Sequence, residues 1–71
     1  MISIDAGCGT HKKGDIGLDI VRTDAVDIIC DLEQIPLKDD CVDCIITEHV
    51  IEHTNNPYNT IREFYRILKG G

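Results

Sequence analysis

Three aspartates with the chemistry to bind a polar ligand lie at the ends of short apolar runs. Asp5, Asp19 and Asp31 each close or directly follow such a run. Continuous Ile- and Val-rich runs are typical of buried parallel strands, and ligands of open parallel sheets bind beyond the carboxyl ends of the strands. We therefore expect the three carboxylates to line one rim. Acids in solvated loops are the alternative, but this interpretation does not explain one acid at each of three strand ends.

A Gly7-Cys8-Gly9 turn follows the first of these runs, and only nine residues separate Ala6 from Ile16. A pyrophosphate would need a helix N-terminus here, and the link is too short to supply one. A nucleoside makes a smaller demand: close backbone approach at the glycines and a carboxylate for the ribose diol. Asp19 can accept both ribose hydroxyls, and the Asp31-Leu32 pair can offer an acceptor and an apolar contact to an adenine.

The elements that would position these residues form a small α/β fold. We predict strands over 2–6, 16–20, 26–30 and 42–47, all parallel in the order 3-2-1-4, and one major helix over 57–69. Asn55 or Asn56 can cap the helix, Pro57 suits its first turn, and Gly70 can end it. The side chains expected to face the sheet from this helix are Ile61, Phe64, Tyr65 and Leu68.

Length and charge restrict the class of protein. The 71 residues make a single domain, 1–71, and the formal net charge of −6 argues against a nucleic-acid partner. No apolar run approaches the roughly 20 residues needed to span a bilayer, so we expect no membrane partner and a cytoplasmic location. The cysteines then serve as small apolar residues rather than disulfide partners.

One sheet face is predicted to lack a helix of its own. The links 7–15 and 21–25 are too short for crossover helices. An uncovered apolar face on a small domain usually marks an interaction site. We therefore predict self-association, or a partner chain, at this face.

Several segments together carry a resemblance to a known family. "IDAGCGT", "IGLDI", "ICDLEQIPLKDDCVDCIITEHVIEH" and "REFYRILKGG" resemble, in order and spacing, the S-adenosylmethionine-dependent methyltransferases of the Rossmann-like class, of type 11-like sequence. The resemblance runs the whole length of the chain, which corresponds to roughly the first half of that family's catalytic domain. It implies a truncated Rossmann-like methyltransferase fold, S-adenosyl-L-methionine as the small-molecule cofactor, and an acceptor that the sequence does not identify.

The resemblance also implies roles for individual residues. It assigns the methionine part of the cofactor to Asp5, Gly7 and Gly9, the ribose to Asp19, and the adenine to Asp31 and Leu32; Cys8 and Ile20 adjoin these residues in the cofactor site. Thr47, Glu48 and His49 are expected beside the sulfonium. His49 is the best candidate for a catalytic base and Glu48 the second, if the acceptor must lose a proton. The alternative for His49 is a local hydrogen bond at the start of a helix.

Two positions depart from the family pattern. His11 replaces the third glycine, where it is expected to narrow the cofactor entrance, and no proline precedes the final Gly70-Gly71 pair.

Two other functions remain open. The spacing of Cys41, Cys44, His49 and His53 resembles a short zinc knuckle, which would make the chain a small zinc-binding module. An odd separation along a strand would point the two cysteines to opposite faces, which disfavours zinc, so we predict no metal site. The other alternative keeps the fold without the chemistry, as a non-catalytic remnant that binds the cofactor weakly or acts as an assembly module.

Overall fold

The computed structural model describes residues 2–47 and 54–70. Within those residues the chain forms β1 (Ser3–Ala6), β2 (Ile16–Asp19), β3 (Ile28–Ile29), β4 (Cys44–Thr47) and α1 (Pro57–Ile67). The strands pair in parallel in the order β3-β2-β1-β4. The predicted α/β class, strand order and single C-terminal helix are confirmed.

The buried core lies on one face of the sheet. Ile4 of β1 pairs with Ile16 of β2 and Ile45 of β4, and paired residues of neighbouring strands point to the same face. Helix α1 and the chain between β3 and β4 pack against this face. The fully enclosed apolar cluster consists of Ile4, Leu18, Ile35, Val42 and Ile67.

The strands are shorter than predicted, and β3 most of all. Only Ile28 and Ile29 pair with β2. The N–H of Val26 donates to the carbonyl of Thr23 at 3.1 Å, so the first residues of the predicted strand belong to a turn. The prediction of a strand over 26–30 was wrong at both ends. An apolar run indicates which residues are buried, but not where a turn ends and the strand begins.

Helix α1 begins as its sequence predicts. The side-chain oxygen of Asn56 accepts a hydrogen bond from the N–H of Asn59 at 3.4 Å, and Pro57 occupies the first turn. Asn56 rather than Asn55 is therefore the cap.

The helix ends at Ile67, two residues before its predicted end. Leu68 is extended and bridges Val42 in parallel, and the N–H of Lys69 donates to the carbonyl of Val42 at 2.8 Å. This pairing beside β4 ends the helix, so the prediction that Gly70 ends it was wrong.

The buried face of α1 is rotated from the predicted one. Thr60 and Ile67 are fully buried, whereas Ile61 is 41% and Tyr65 69% exposed. The prediction is wrong for Ile61 and Tyr65, while the other two members of the predicted stripe pack against the core. Residues at i, i+4 and i+7 share one side of a helix, and Thr60 begins such a set just as well as Ile61 does.

The hydroxyl of Thr60 is buried at a cost in free energy. It has no hydrogen-bond partner in the described part of the chain. Replacing a buried unpaired hydroxyl by a methyl group removes a desolvation penalty, so T60V is expected to raise the free energy of unfolding by about 1 kcal/mol. Urea denaturation followed by circular dichroism measures this. T60S, which keeps the hydroxyl and loses the methyl, should be less stable than wild type; a destabilised T60V would show that the hydroxyl has a partner.

The second face of the sheet is polar at its centre. Ser3 and Asp5 of β1, with Gly17 and Asp19 of β2, alternate with the core residues and so point to this face. Residues 7–15, here called the glycine loop, contain no helix, as predicted, and lie over this face. The prediction of an uncovered apolar face is therefore wrong between β1 and β2, while self-association stays a prediction.

Arg66 fastens α1 to the chain that leads into β4. Its guanidinium donates to both carboxylate oxygens of Glu63 at 2.8 Å, to the carbonyls of Ile35 and Leu37, and to Asp39. The Glu63 carboxylate also accepts the N–H of Ile35 at 2.7 Å. All five N–H donors of the arginine are thus used.

No helix in the described ranges is long and apolar enough to cross a membrane.

Candidate functional site

The three aspartates occupy the carboxyl ends of neighbouring strands. Asp5 is the residue before the last of β1, Asp19 is the last of β2, and Asp31 comes two residues after β3. Adjacent strands lie about 4.8 Å apart, so the rim from β1 to β3 is about 10 Å wide. That width suits a ligand of nucleoside size.

Asp19 is held between two backbone N–H groups. Its Oδ2 accepts from Gly9 at 2.9 Å and its Oδ1 from Val21 at 3.2 Å. An ionised carboxylate has about four acceptor positions, two on each oxygen. Among the contacts made by residues 2–47 and 54–70, one position on each oxygen therefore stays available, which is the arrangement needed to accept two vicinal hydroxyl groups.

The glycine turn brings backbone close to this carboxylate. Gly7 and Gly9 both have left-handed backbone, with φ of 77° and 59°. Gly7 and Cys8 donate to the same carbonyl, that of Leu18, at 2.7 and 3.2 Å. The space beside Gly9 is open, since a Cβ there would meet nothing within 4 Å. A ligand can approach the backbone at this glycine.

Cys8 turns its side chain into the protein. The thiol is buried and lies 3.6 Å from the carbonyl of Ala25. Burial, together with the charges of Asp5 and Asp19, raises the pKa of the Cys8 thiol, so it stays protonated at neutral pH. The buried thiol therefore carries little thiolate, and the backbone of Cys8 is the part that faces the turn.

Asp5 and His11 belong to one small cavity of about 210 Å³. The cavity is lined by Asp5, Gly7, Cys8, Thr10, His11 and Lys13. Asp5 is only 5% exposed, and its carboxylate accepts the N–H of Lys13 at 2.8 Å. The exposed His11 has its Nδ1 3.0 Å from the hydroxyl of Thr10. This volume is smaller than the roughly 300 Å³ of typical ligand pockets, so it suits one end of a ligand rather than a whole one.

The predicted adenine contacts differ in their surroundings. Ile20 and Val21, next to Asp19, are 65% and 62% exposed and form an open apolar surface. Asp31 is exposed, and its carboxylate accepts the N–H of Glu33 at 2.9 Å. Leu32 is partly buried and packs against the core cluster. The exposed apolar surface at this rim is thus provided by Ile20 and Val21 rather than by Leu32.

The last predicted site residues fall at the end of β4. Thr47 is exposed and pairs with Ala6. Glu48 and His49, and the His53 needed for a zinc knuckle, lie outside the described residues. Among residues 2–47 and 54–70, no group of three His, Cys, Asp or Glu side chains is placed to hold a metal ion.

The sequence analysis did not identify the side chains between β2 and β3 that hold the glycine loop in place. Asp27 accepts both the N–H of Gly17 at 2.7 Å and the ammonium of Lys12 at 2.9 Å, and the hydroxyl of Thr23 donates to the carbonyl of Gly9 at 2.5 Å. Gly17 was the available signal, because a glycine inside a strand often marks close approach of another part of the chain.

One of three comparisons with known proteins found a match. A family model described as a methyltransferase domain matches residues 4–71. Comparison with curated proteins and with solved structures found no match. The family match covers nearly the whole chain, including β1, the glycine loop, Asp19 and α1. The chain therefore belongs to the methyltransferase domain family.

Proposed function

We propose that this chain binds S-adenosyl-L-methionine along the carboxyl rim of its sheet and serves methyl transfer to an acceptor. The observation that carries the proposal is the Asp19 carboxylate, which keeps one acceptor position open on each oxygen and lies beside exposed apolar side chains. A ribose diol next to an apolar base fits that combination. Family membership supports the same ligand.

In this proposal Asp19 accepts the two ribose hydroxyls. The N–H groups of Gly9 and Val21 already orient the carboxylate, so little freedom is lost when the diol binds. Ile20 would pack against the adenine, and Asp31 would accept from its exocyclic amine. Leu32, which is partly buried against the core, would offer the adenine an apolar edge.

The methionine end lies toward β1. The buried carboxylate of Asp5 is the natural partner of its ammonium group, and Gly7, Cys8 and Gly9 offer backbone at close range. Thr47, which pairs with Ala6 at the end of β4, would lie beside the sulfonium. His49 takes a proton from the acceptor where its chemistry requires this, with Glu48 as the second candidate.

The chain's own contribution is positioning. S-adenosylmethionine, when bound, supplies a methyl group already activated on a sulfonium. Asp19 would hold the donor by its diol and Asp5 by its ammonium, and two fixed points of attachment would limit the orientations open to the bound donor. The four free cysteines favour a reducing, cytoplasmic setting for this work.

The proposal is tested by calorimetric titration of the chain with S-adenosylhomocysteine, adenosine and NAD. We expect S-adenosylhomocysteine to bind more tightly than adenosine, because only the former reaches Asp5, and NAD to bind least well, because no helix end faces its pyrophosphate. Equal or tighter binding of NAD would overturn the assignment. Binding of S-adenosylhomocysteine without turnover of any acceptor would favour the non-catalytic alternative.

A further inference from the structure

The glycine loop lacks the usual means of holding its shape. In most nucleotide-binding α/β folds a helix follows the glycine turn and fixes it. Here residues 7–15 form turns and bends only. Side chains from the β2–β3 connection do the fixing instead, through Asp27 and Thr23.

Lys12 lies across the sheet surface to reach Asp27. Its Cδ atom passes 3.2 Å from the position that a Cβ on Gly17 would take, and the thiol sulfur of Cys8 passes at 2.8 Å. A Cβ on Gly17 would also collide with the backbone carbonyl oxygen of Ala25, which is its nearest neighbour, so only a glycine leaves room here. The ammonium then meets the Asp27 carboxylate at 2.9 Å.

Two hydrogen bonds keep the Asp27 side chain ionised. The N–H of Gly17 and the Lys12 ammonium both bind its Oδ2, and these bonds hold the pKa of the Asp27 carboxyl below its usual range. The carboxylate is therefore ionised at neutral pH and attached to the middle of β2. The ion pair thus ties the glycine loop to the strand that ends in Asp19.

We infer that Lys12 and Asp27 are positioning residues for the cofactor, acting through the N–H of Gly9 on Asp19. This inference rests on the proposed function. The ion pair holds the loop in the position where Gly9 orients the Asp19 carboxylate, while neither Lys12 nor Asp27 touches the ligand. With the pair removed, the glycine loop samples other positions. The apparent affinity for the cofactor then falls in proportion to the population in which Gly9 still orients Asp19.

The test compares the affinities of K12M, D27N and the double variant for S-adenosylhomocysteine. The side chains of the pair are 31% and 46% exposed, so its effect is moderate: each single variant should weaken binding about fivefold. The double variant should be no weaker than either single one, because all three lack the same contact. D27N keeps an oxygen for the N–H of Gly17, and K12R keeps the ion pair and should bind within about twofold of wild type.

Three comparisons separate positioning from general effects of charge and stability. K38M removes the same charge from an exposed lysine outside the loop and should bind like wild type. The urea midpoint of K12M should stay near that of wild type, since partly exposed ion pairs contribute little to folding. High salt should weaken binding by wild type more than binding by K12M, because both keep the Asp5 carboxylate but only wild type has the ion pair. D27N takes the place of K12M in this salt comparison if K12M folds poorly.

The outcomes are distinct. Wild type that binds, with K12M binding equally well, overturns the positioning role and leaves the proposed function intact. Multiplying effects in the double variant also overturn it, because they show independent roles. A wild-type chain that does not bind S-adenosylhomocysteine overturns both.

Discussion

Replacing Asp19 by alanine is expected to weaken the binding of S-adenosylhomocysteine about 100-fold. Each hydrogen bond to a charged group contributes roughly 1.5–3 kcal/mol, and the diol makes two. Loss of both therefore costs about 3 kcal/mol, which corresponds to about two powers of ten in the dissociation constant. Isothermal titration calorimetry measures the change directly.

Two further variants separate charge from fold in this experiment. D19N keeps the size of the side chain and one acceptor oxygen, so its loss should be about tenfold. D40N makes the same change at an exposed aspartate before the amino end of β4, away from the rim, and should bind within about twofold of wild type. An alanine variant that binds as well as D40N would show that Asp19 does not hold the ribose.

Replacing Arg66 by methionine is expected to lower the free energy of unfolding by about 2–3 kcal/mol. The change leaves the Glu63 carboxylate, whose side chain is only 18% exposed, without its counter-charge. It also removes a donor from the carbonyl of Leu37, whereas the carbonyl of Ile35 keeps the N–H of Leu37. Breaking a buried pair costs about 3–5 kcal/mol, and the partial exposure of Arg66 reduces this. Urea unfolding followed by circular dichroism gives the value.

Acidification should reduce the difference in the free energy of unfolding between wild type and R66M, leaving the part that comes from the carbonyl contacts of Arg66. Hydrogen bonding to the Arg66 guanidinium holds the pKa of Glu63 below its usual range. The stability that this pair contributes is therefore present above the unfolded pKa of about 4.3 and is lost as the pH falls through the folded value. R62M, on the exposed side of the same helix, should change stability by less than about 0.5 kcal/mol. Equal effects of R62M and R66M on the free energy of unfolding would show that the contacts of Arg66 do not stabilise the fold.

The strand order and the rim were predictable because they depend on local signals. Apolar runs with short links allow few parallel arrangements. An acid at the end of each run then lies at one edge of the sheet, because the carboxyl ends of parallel strands meet there. The helix start was also predictable, since Asn56 and Pro57 act within one turn.

The remaining features depend on contacts that are distant in sequence. The end of α1 is set by Leu68 pairing with Val42, and the buried side of α1 is set by how the helix docks on the sheet. Spacing fixes which residues share a face of a helix, but not which face is buried. The Lys12–Asp27 pair spans 15 residues and becomes visible only when Gly17 is placed between them.

The most direct test of the central claim is a titration of the isotopically labelled chain with S-adenosylhomocysteine, followed by backbone amide shifts. The account predicts that the amides of Gly9 and Val21, which both donate to Asp19, shift most and saturate together, while that of Asp40 stays in place. No shift at either amide up to millimolar ligand, or shifts confined to the amino edge of the sheet, would contradict a cofactor site at this rim.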